Sequence, residues 1–240
     1  MLFLSYKIKI IFIWFCLAST LEGMSHEIDR SFKLIFWGTE LGGLRVKGEI
    51  SRDKYSVLTN ASGKSLISLL SRFEITSGAI GKISDKNELI PMQSITRWKT
   101  RGKLRETQLN YRDGRLVEFE ASSELNRSYH IENPIGISNT IDPVSLVLWL
   151  LLERREDQIC KQELLILDGF RMSELSFDSI NISQDSVVCF GKIKRVLGFK
   201  NNELNKKPLR FKITYSSVSS ENFKVSKVEV ETIFGMITLE

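Results

Sequence analysis

The clearest structural signal in this chain of 240 residues is a strict alternation of apolar and polar side chains: Leu209-Arg210-Phe211-Lys212-Ile213-Thr214-Tyr215. Successive side chains of a strand point to opposite faces, so this pattern predicts a strand with one buried and one wet face. Val117, Phe119 and Ala121 alternate with two glutamates in the same way. Because sheets with one wet face are commonly antiparallel, we expect a mainly β protein with an antiparallel sheet. Apolar-rich segments predict further strands at residues 31–38, 41–51 and 54–60.

Turn signals join such strands into hairpins. Asp113-Gly114 and Asp168-Gly169 each stand between apolar runs, and glycine tolerates the positive φ angles of a type I′ turn. We therefore expect both pairs to close hairpins with this turn. Residues 85–87 and 201–202 are expected to close two more.

The apolar pattern also predicts that the sheet bends. Between residues 223–225 and 228–230 the apolar side chains switch from odd to even positions, and a β-bulge near Ser226 and Lys227 would produce that switch. We therefore predict a large curved antiparallel sheet, either an open barrel or a roll-like meander. Residues 24–240 contain no evident repeat or linker, so we expect one domain, since all-β domains often run to about 200 residues or more.

One segment strongly predicts a helix, at residues 142–155. Asp142 can accept hydrogen bonds from the free amides at its start, Pro143 suits the first helical position, and two arginines suit its end. Its middle is apolar on every side, so it must be buried against a sheet face or inside a concave groove. Residues 65–71 predict a second, short helix or an apolar loop.

The N-terminus predicts an export signal. Lys7 and Lys9 precede an apolar run at residues 10–18, which is the outline of a secretory signal peptide. A retained membrane anchor is the alternative, but a spanning helix needs roughly 20 consecutive apolar residues, about twice the length of this run. We therefore take residues 1–23 as the signal and expect the remaining chain to be periplasmic or secreted, without an integral membrane segment.

That location determines how we interpret the two remaining cysteines, Cys160 and Cys189. In an oxidising compartment an isolated pair is more often bonded than free. A redox or metal site is the alternative, but it would need a Cys-x-x-Cys motif or histidines at ligand spacing, which the sequence lacks. We expect a structural disulfide.

The sequence offers little catalytic chemistry. His26 and His130 are the only histidines, and the neighbours of His130 form no recognisable nucleophile motif. Glu118 and Glu120 share one strand face, which is more typical of a solvent face than of paired catalytic carboxylates. Distant histidines leave no ligand set for a metal. We expect no enzyme, no metal site and no cofactor.

The basic excess is small and spread out. The formal net charge is +5, with minor clusters at residues 192–195 and 206–212. No stripe of alternating basic and aromatic residues accompanies them, so we expect solvated strand faces rather than a nucleic-acid site. Attraction to an anionic membrane surface is a weaker alternative.

Several short motifs occur in an order that resembles a known family: Phe36-Trp37-Gly38, Leu41-Gly42-Gly43, residues 65–73, Ile141-Asp142-Pro143, Cys160, the turn at residues 167–171, and Cys189 ahead of residues 192–198. From residue 31 to residue 239 the chain is similar to the DUF3108 proteins, exported bacterial proteins largely of unknown function. The resemblance implies a periplasmic, mostly antiparallel β protein with the two cysteines at paired positions. Its curved sheet looks like that of lipoprotein carriers and envelope-integrity proteins.

Apolar residues of the two helical segments are the remaining functional candidates: Leu146, Trp149, Leu150, Leu66, Leu69 and Leu70. Most such stripes are simply core; the functional alternative is that they line a cavity for an acyl chain or another apolar ligand. We therefore expect a non-enzymatic cell-envelope protein that binds lipid or another apolar ligand in a concave β-sheet. The alternative is a secreted protein–protein interaction module without a small-molecule cavity.

Overall fold

The computed structural model describes residues 26–63, 73–84, 86, 88–100, 103–122, 130–219, 221–232 and 235–240. The predicted signal peptide and the apolar segment at residues 65–71 lie outside the described residues. Leu66, Leu69 and Leu70 therefore lie outside them as well.

The described part of the chain forms one 15-stranded sheet. Its strands are β1 (His26–Phe36), β2 (Thr39–Ile50), β3 (Lys54–Gly63), β4 (Phe73–Ile83), β5 (Leu89–Thr100), β6 (Lys103–Arg112), β7 (Arg115–Ala121), β8 (Thr140–Ile141), β9 (Arg154–Arg155), β10 (Leu164–Leu167), β11 (Met172–Ile182), β12 (Ser186–Leu197), β13 (Leu209–Ser217), β14 (Asn222–Thr232) and β15 (Gly235–Leu239). Helices α1 (Pro143–Leu151) and α2 (Asn201–Leu204) and a 3-10 turn (Glu156–Gln158) complete the described elements.

Neighbouring strands follow one another as a meander. The order across the sheet is β7-β6-β5-β4-β3-β2-β1-β15-β14-β13-β12-β11-β10-β8, and β9 pairs with β14. All these pairings are antiparallel except that of β8 with β10. The first and last strands of the chain, β1 and β15, are neighbours in the middle of this order, with Leu34 opposite Leu239.

The two ends of the sheet approach each other through the segment that leads into α1. The amide of Leu116 in β7 donates to the carbonyl of Ile137 at 2.8 Å, and the amide of Gly136 donates back to Leu116 at 2.8 Å. The chain then enters β8, which pairs with β10 at the other end of the order. The result is a nearly closed, barrel-like antiparallel sheet, which confirms the predicted large curved sheet.

Helix α1 fills the interior of this sheet. Asp142 accepts hydrogen bonds from the amides of Val144 and Ser145, both at 3.0 Å, and Pro143 occupies the first turn. Every residue of α1 after Pro143 is buried or half-buried. The predicted start and burial of the helix are therefore confirmed.

The predicted end of α1 at residue 155 is wrong, because the helix stops at Leu151. Arg154 and Arg155 form β9 instead and pair with Asn222 and Phe223 of β14. A backbone bonded to a neighbouring strand cannot continue the helical hydrogen bonds, so the arginines leave the helix.

The buried side chains form three groups, and residues of α1 pack in the first two of them. The first comes mainly from β1 to β5 and includes Val46, Tyr55 and Leu148. The second comes from β11 to β14 and includes Ile213 and Tyr215. A third, smaller group lies at the β6–β7 hairpin: Leu109, Tyr111, Leu116 and Leu167. Full burial of one aliphatic or aromatic side chain contributes about 1.5–3 kcal/mol to the stability of the fold. Because α1 packs against both the first and the second group, it links the two halves of the sheet.

The predicted type I′ turn is confirmed at the Asp113-Gly114 hairpin and is wrong at the Asp168-Gly169 hairpin. Asp113 and Gly114 have φ angles of 51° and 72° and join β6 to β7, as a type I′ turn requires. The second hairpin exists, but its turn spans four residues between Leu167 and Met172. There the Asp168 carboxylate accepts from the amides of Phe170 and Arg171 at 2.8 and 2.7 Å, so this side chain closes a wider turn than type I′.

The other two predicted hairpin connections also join neighbouring strands. Ile83 of β4 pairs with Leu89 of β5, so these two strands form a hairpin as predicted, whereas Asp85 and Asn87 of the predicted turn lie outside the described residues. Between β12 and β13 the connection contains α2. The predicted hairpin at residues 201–202 therefore closes through a short helix rather than through a tight turn.

Bulges interrupt the sheet at two informative places. Thr214 pairs with Lys227 and Tyr215 with Val225, so Ser226 is the extra residue, and the predicted bulge is confirmed. A second bulge places Val117 between two paired residues of β7. Val117 is 40% exposed, so its predicted place on the buried face of the strand is wrong.

Candidate ligand-binding cavity

A cavity of about 930 Å³ lies where the two ends of the sheet meet α1. Its walls are residues 89–92 of β5, residues 111–114 at the β6–β7 turn, residues 139–141, residues 162–165, and Trp149. Sites for small ligands usually have volumes of roughly 300–1,000 Å³ and mostly apolar walls. This cavity falls in that range.

Most of the cavity wall is apolar. Trp149 and Ile141 are each 4% exposed, and Leu89 is 8% exposed. Ile90, Pro91, Met92, Leu164 and Leu165 supply further apolar surface. Such a wall favours the transfer of an apolar group out of water.

Two side chains from outside α1 hold the Trp149 ring in place. Its Nε1 donates to Oε1 of Gln162 at 2.9 Å. The Arg154 guanidinium lies 4.1 Å from the ring centroid and donates to the Trp149 carbonyl at 2.9 Å. These contacts fix the ring before any ligand arrives, which lowers the entropic cost of binding.

Two buried hydroxyls also belong to the cavity wall. Tyr111 is 7% exposed and Thr140 is 6% exposed, and both line the cavity. Neither hydroxyl has a hydrogen-bond partner of good geometry in the part of the chain that the structure describes, although Thr140 lies close enough to Tyr111 to act on the pKa of its phenol, which it lowers against the larger effect of burial. A buried polar group without a partner costs about 1–3 kcal/mol, and a hydroxyl can both donate and accept. With the amides of Asn139 and Gln162, these hydroxyls are the neutral polar side-chain groups that line the cavity.

A hydrogen-bonded network connects the start of α1 to the sheet near these hydroxyls. The hydroxyls of Tyr55 and Ser145 lie 2.7 Å apart, and the Ser145 hydroxyl donates to Oδ2 of Asp142. Burial raises the pKa of the Asp142 carboxyl above its ordinary value, against the opposing effect of its hydrogen bonds. Burial, with the nearby Asp142 charge as a second cause, raises the pKa of Tyr111 as well, so the phenol remains protonated.

The outer rim of the cavity is charged. Its exposed charged residues are Lys82, Arg112, Glu88, Asp113 and Glu163. Two are positive and three are negative, so the rim has a formal charge of −1. It does not form a basic mouth.

The structure places the predicted apolar site residues in two different environments. Trp149 lines the cavity. Leu146 and Leu150 are half-buried and pack against both the first and the second core groups. Of the three candidates on α1, one belongs to the cavity and two link the core.

The predicted cysteine pair is brought together. Cys160 and Cys189 lie in an arrangement that is compatible with a disulfide, with their Cα atoms 5.9 Å apart, and Cys189 is fully buried in the second core group. The predicted disulfide would tie the connection between β9 and β10 to β12. That connection carries Gln162, the partner of Trp149.

Sequence reasoning missed Tyr111, Thr140 and Gln162. Tyr111 precedes the Asp113-Gly114 turn, and Thr140 precedes the cap of α1, so each lies beside a recognised signal. Neither position carries a motif of its own. Only the approach of the two sheet ends brings them together.

A second depression lies on the outer face of β1 to β5. It is an open trough of about 600 Å³, and Leu58 and Ile80 in it are 44% and 47% exposed. Their neighbours Val57 and Ala79 point the other way, into the first core group. The trough therefore lies opposite α1, on the other side of the sheet.

The described residues contain neither a helix that could cross a membrane nor a cluster of metal-binding side chains. No helix there is long and apolar enough to cross a membrane. Over the same ranges, no group of three or more His, Cys, Asp or Glu side chains could hold a metal ion.

Comparisons with protein-family models, curated proteins and solved structures found no significant match to the chain.

Proposed function

We propose that this is a non-enzymatic, exported protein of the cell envelope that binds a lipid or another apolar ligand in the cavity beside Trp149. The single observation that carries the proposal is a cavity of about 930 Å³ with an apolar wall. The predicted signal peptide and the resemblance to DUF3108 proteins support a periplasmic location.

The way in which the wall is built supports binding rather than turnover. Trp149 is held by Gln162 and Arg154, so the apolar surface is ordered in advance. Ser145 is fully buried, and its hydroxyl is engaged by Asp142 and Tyr55. A serine in that environment has the role of a structural link between α1 and the sheet.

Two exposed methionines offer a matched test. Met92 lies in the cavity wall and is 42% exposed, whereas Met236 in β15 is 44% exposed and does not line the cavity. Met92→Lys puts a charge into the apolar wall, so we expect it to weaken binding of a fluorescent fatty-acyl probe about tenfold or more, which corresponds to about 1.4 kcal/mol. Met236→Lys should leave the affinity within about twofold of the wild type, because its charge is added outside the cavity.

The same two variants also test natural cargo. Lipid extracted from purified wild-type protein and from Met236→Lys should be seen by mass spectrometry and should be depleted in Met92→Lys. Equal binding by the two variants would contradict the proposal, as would a wild-type protein that neither carries lipid nor binds the probe.

An interaction module is the second candidate, and the outer trough favours it. Leu58 and Ile80 form exposed apolar surface there, and such surface is typical of sites for protein partners. Loss of a partner in Leu58→Glu, with wild-type ligand binding, would support this function instead.

A further inference from the structure

The two hydroxyls in the cavity wall constrain which chemical groups a ligand can place beside them. Tyr111 and Thr140 lie at the ends of two different segments, one before the β6–β7 turn and one before α1. Both line the cavity, and neither buried hydroxyl has a hydrogen-bond partner of good geometry among the described residues apart from the proximity of the two to each other. Two neighbouring hydroxyls can share one hydrogen bond, but one O–H of the pair then still lacks an acceptor, so a wholly apolar ligand would leave a polar group unsatisfied at a cost that polar contact removes.

The charges around the cavity argue against an anionic group at these hydroxyls. Lys82 and Arg112, the cations that line the described cavity, are exposed at the rim. Behind the wall, the Asp142 carboxyl group is fully buried and acts electrostatically on Tyr111. An anion placed there would be desolvated without a cationic partner, which is costly.

A cationic group fits no better. Asp142 does not line the cavity, and its oxygens already accept hydrogen bonds from the amides of Val144 and Ser145 and from the Ser145 hydroxyl. In the buried part of the wall a desolvated ammonium would find neutral hydroxyl and amide groups, Tyr111, Thr140 and Gln162, rather than a carboxylate. Two neutral hydrogen bonds do not replace the hydration of a full charge.

Resting on the proposed function, we infer that the ligand is amphipathic, with a neutral hydroxyl or amide group that hydrogen-bonds to Tyr111 and Thr140 while its apolar part lies against Trp149. A hydroxyl or amide both donates and accepts, which matches the two wall hydroxyls. The free carboxylate of a fatty acid and the ammonium of an alkylamine are the groups that this wall excludes.

Three probes with the same alkyl chain separate the alternatives: dodecanol, dodecanoate and dodecylamine. At about pH 8 the second is anionic and the third cationic. We expect delipidated full-length protein to bind dodecanol about tenfold more tightly than either charged probe, as measured by displacement of a fluorescent apolar dye.

Two conservative variants test whether the hydroxyls of Tyr111 and Thr140 bind the polar group of the ligand. Tyr111→Phe and Thr140→Val each remove one hydroxyl and retain the side chain's shape, so each should weaken dodecanol binding about two- to tenfold. Neither should change the binding of dodecane, which cannot form hydrogen bonds. Tyr215→Phe is the matched control, because Tyr215 is buried in the second core group and does not line the cavity.

The possible failures are distinguishable. If dodecanoate or dodecylamine binds as tightly as dodecanol, or if both hydroxyl deletions leave dodecanol binding unchanged, the neutral-group inference is wrong and the apolar-ligand function stands. If no probe binds, including dodecane, both the inference and the proposed function are wrong. A melting curve for each variant establishes that it is folded, and Thr140→Val tests the inference even if Tyr111→Phe does not fold.

Discussion

Asp142 shows how one residue determines both local and tertiary structure. Its carboxylate caps α1 through two backbone amides, and through Ser145 it is connected to Tyr55 of β3. The Asp142-Pro143 pair was recognisable in the sequence because N-capping is local. The connection to Tyr55 was not, because it joins residues far apart in the chain.

The titration of Asp142 gives a prediction with a definite sign. Burial holds the pKa of its carboxyl above the ordinary value of 3.8, so the folded state favours the protonated form. Its contribution to stability is complete below about pH 3.8 and is lost as the pH rises through the raised pKa. We therefore expect the free energy of unfolding of the wild type to fall relative to that of Asp142→Asn as the pH rises from about 4 toward neutrality.

Urea unfolding of both proteins at a series of pH values measures this difference. Asp157→Asn is the control, because the Asp157 side chain is 60% exposed and the variant should follow the wild type. A constant difference between wild type and Asp142→Asn over this range would show that the carboxyl has no raised pKa.

Elements were predictable where their signals are local. The Asp113-Gly114 turn, the bulge at Ser226 and the start of α1 each follow from a few adjacent residues. The end of α1 was not predictable, because β9 forms only when Arg154 meets β14. Val117 was misplaced for a related reason, since a bulge in β7 reverses the alternation on which its position was predicted.

We expect the connection between β9 and β10 to depend on the predicted disulfide. Cys160 and Cys189 are 29 positions apart in the chain, and a loop of about this length contributes roughly 3–4 kcal/mol in the simple chain-entropy account. We expect Cys160→Ala combined with Cys189→Ala to lower the free energy of unfolding by about that amount. Guanidinium unfolding measures the loss.

The same measurement on reduced wild-type protein provides the control. Reduction should reproduce the loss seen in the double variant and should have no further effect on the double variant itself. A double variant as stable as the oxidised wild type would show that packing around Ile159, which is fully buried, holds this connection without the disulfide.

At the scale of the whole molecule, the sequence predicts the class of fold but not the position of the cavity. The alternation of apolar and polar residues and the turn signals predict a curved antiparallel sheet. The all-apolar sequence of α1 predicts that this helix is buried inside the sheet. The cavity depends on how β7 and β10 approach each other through residues 136–141. The sequence predicts Trp149 as a ligand-binding residue because it is apolar and lies on α1. It does not predict Tyr111 and Thr140, because only the approach of the two sheet ends places them in the cavity wall.

Quenching of Trp149 by a brominated ligand tests the central claim most directly. Trp14, Trp37 and Trp98 account for the other three of the four tryptophans, and replacing them with Phe leaves Trp149 as the only tryptophan, whose emission can be excited selectively over that of the tyrosines. Because Trp149 lines the cavity, we predict that brominated dodecanol quenches its fluorescence in a saturable way and that Met92→Lys weakens this quenching about tenfold or more. Fluorescence that is unaffected by the ligand, or quenched without saturation and equally in Met92→Lys, would contradict binding in this cavity.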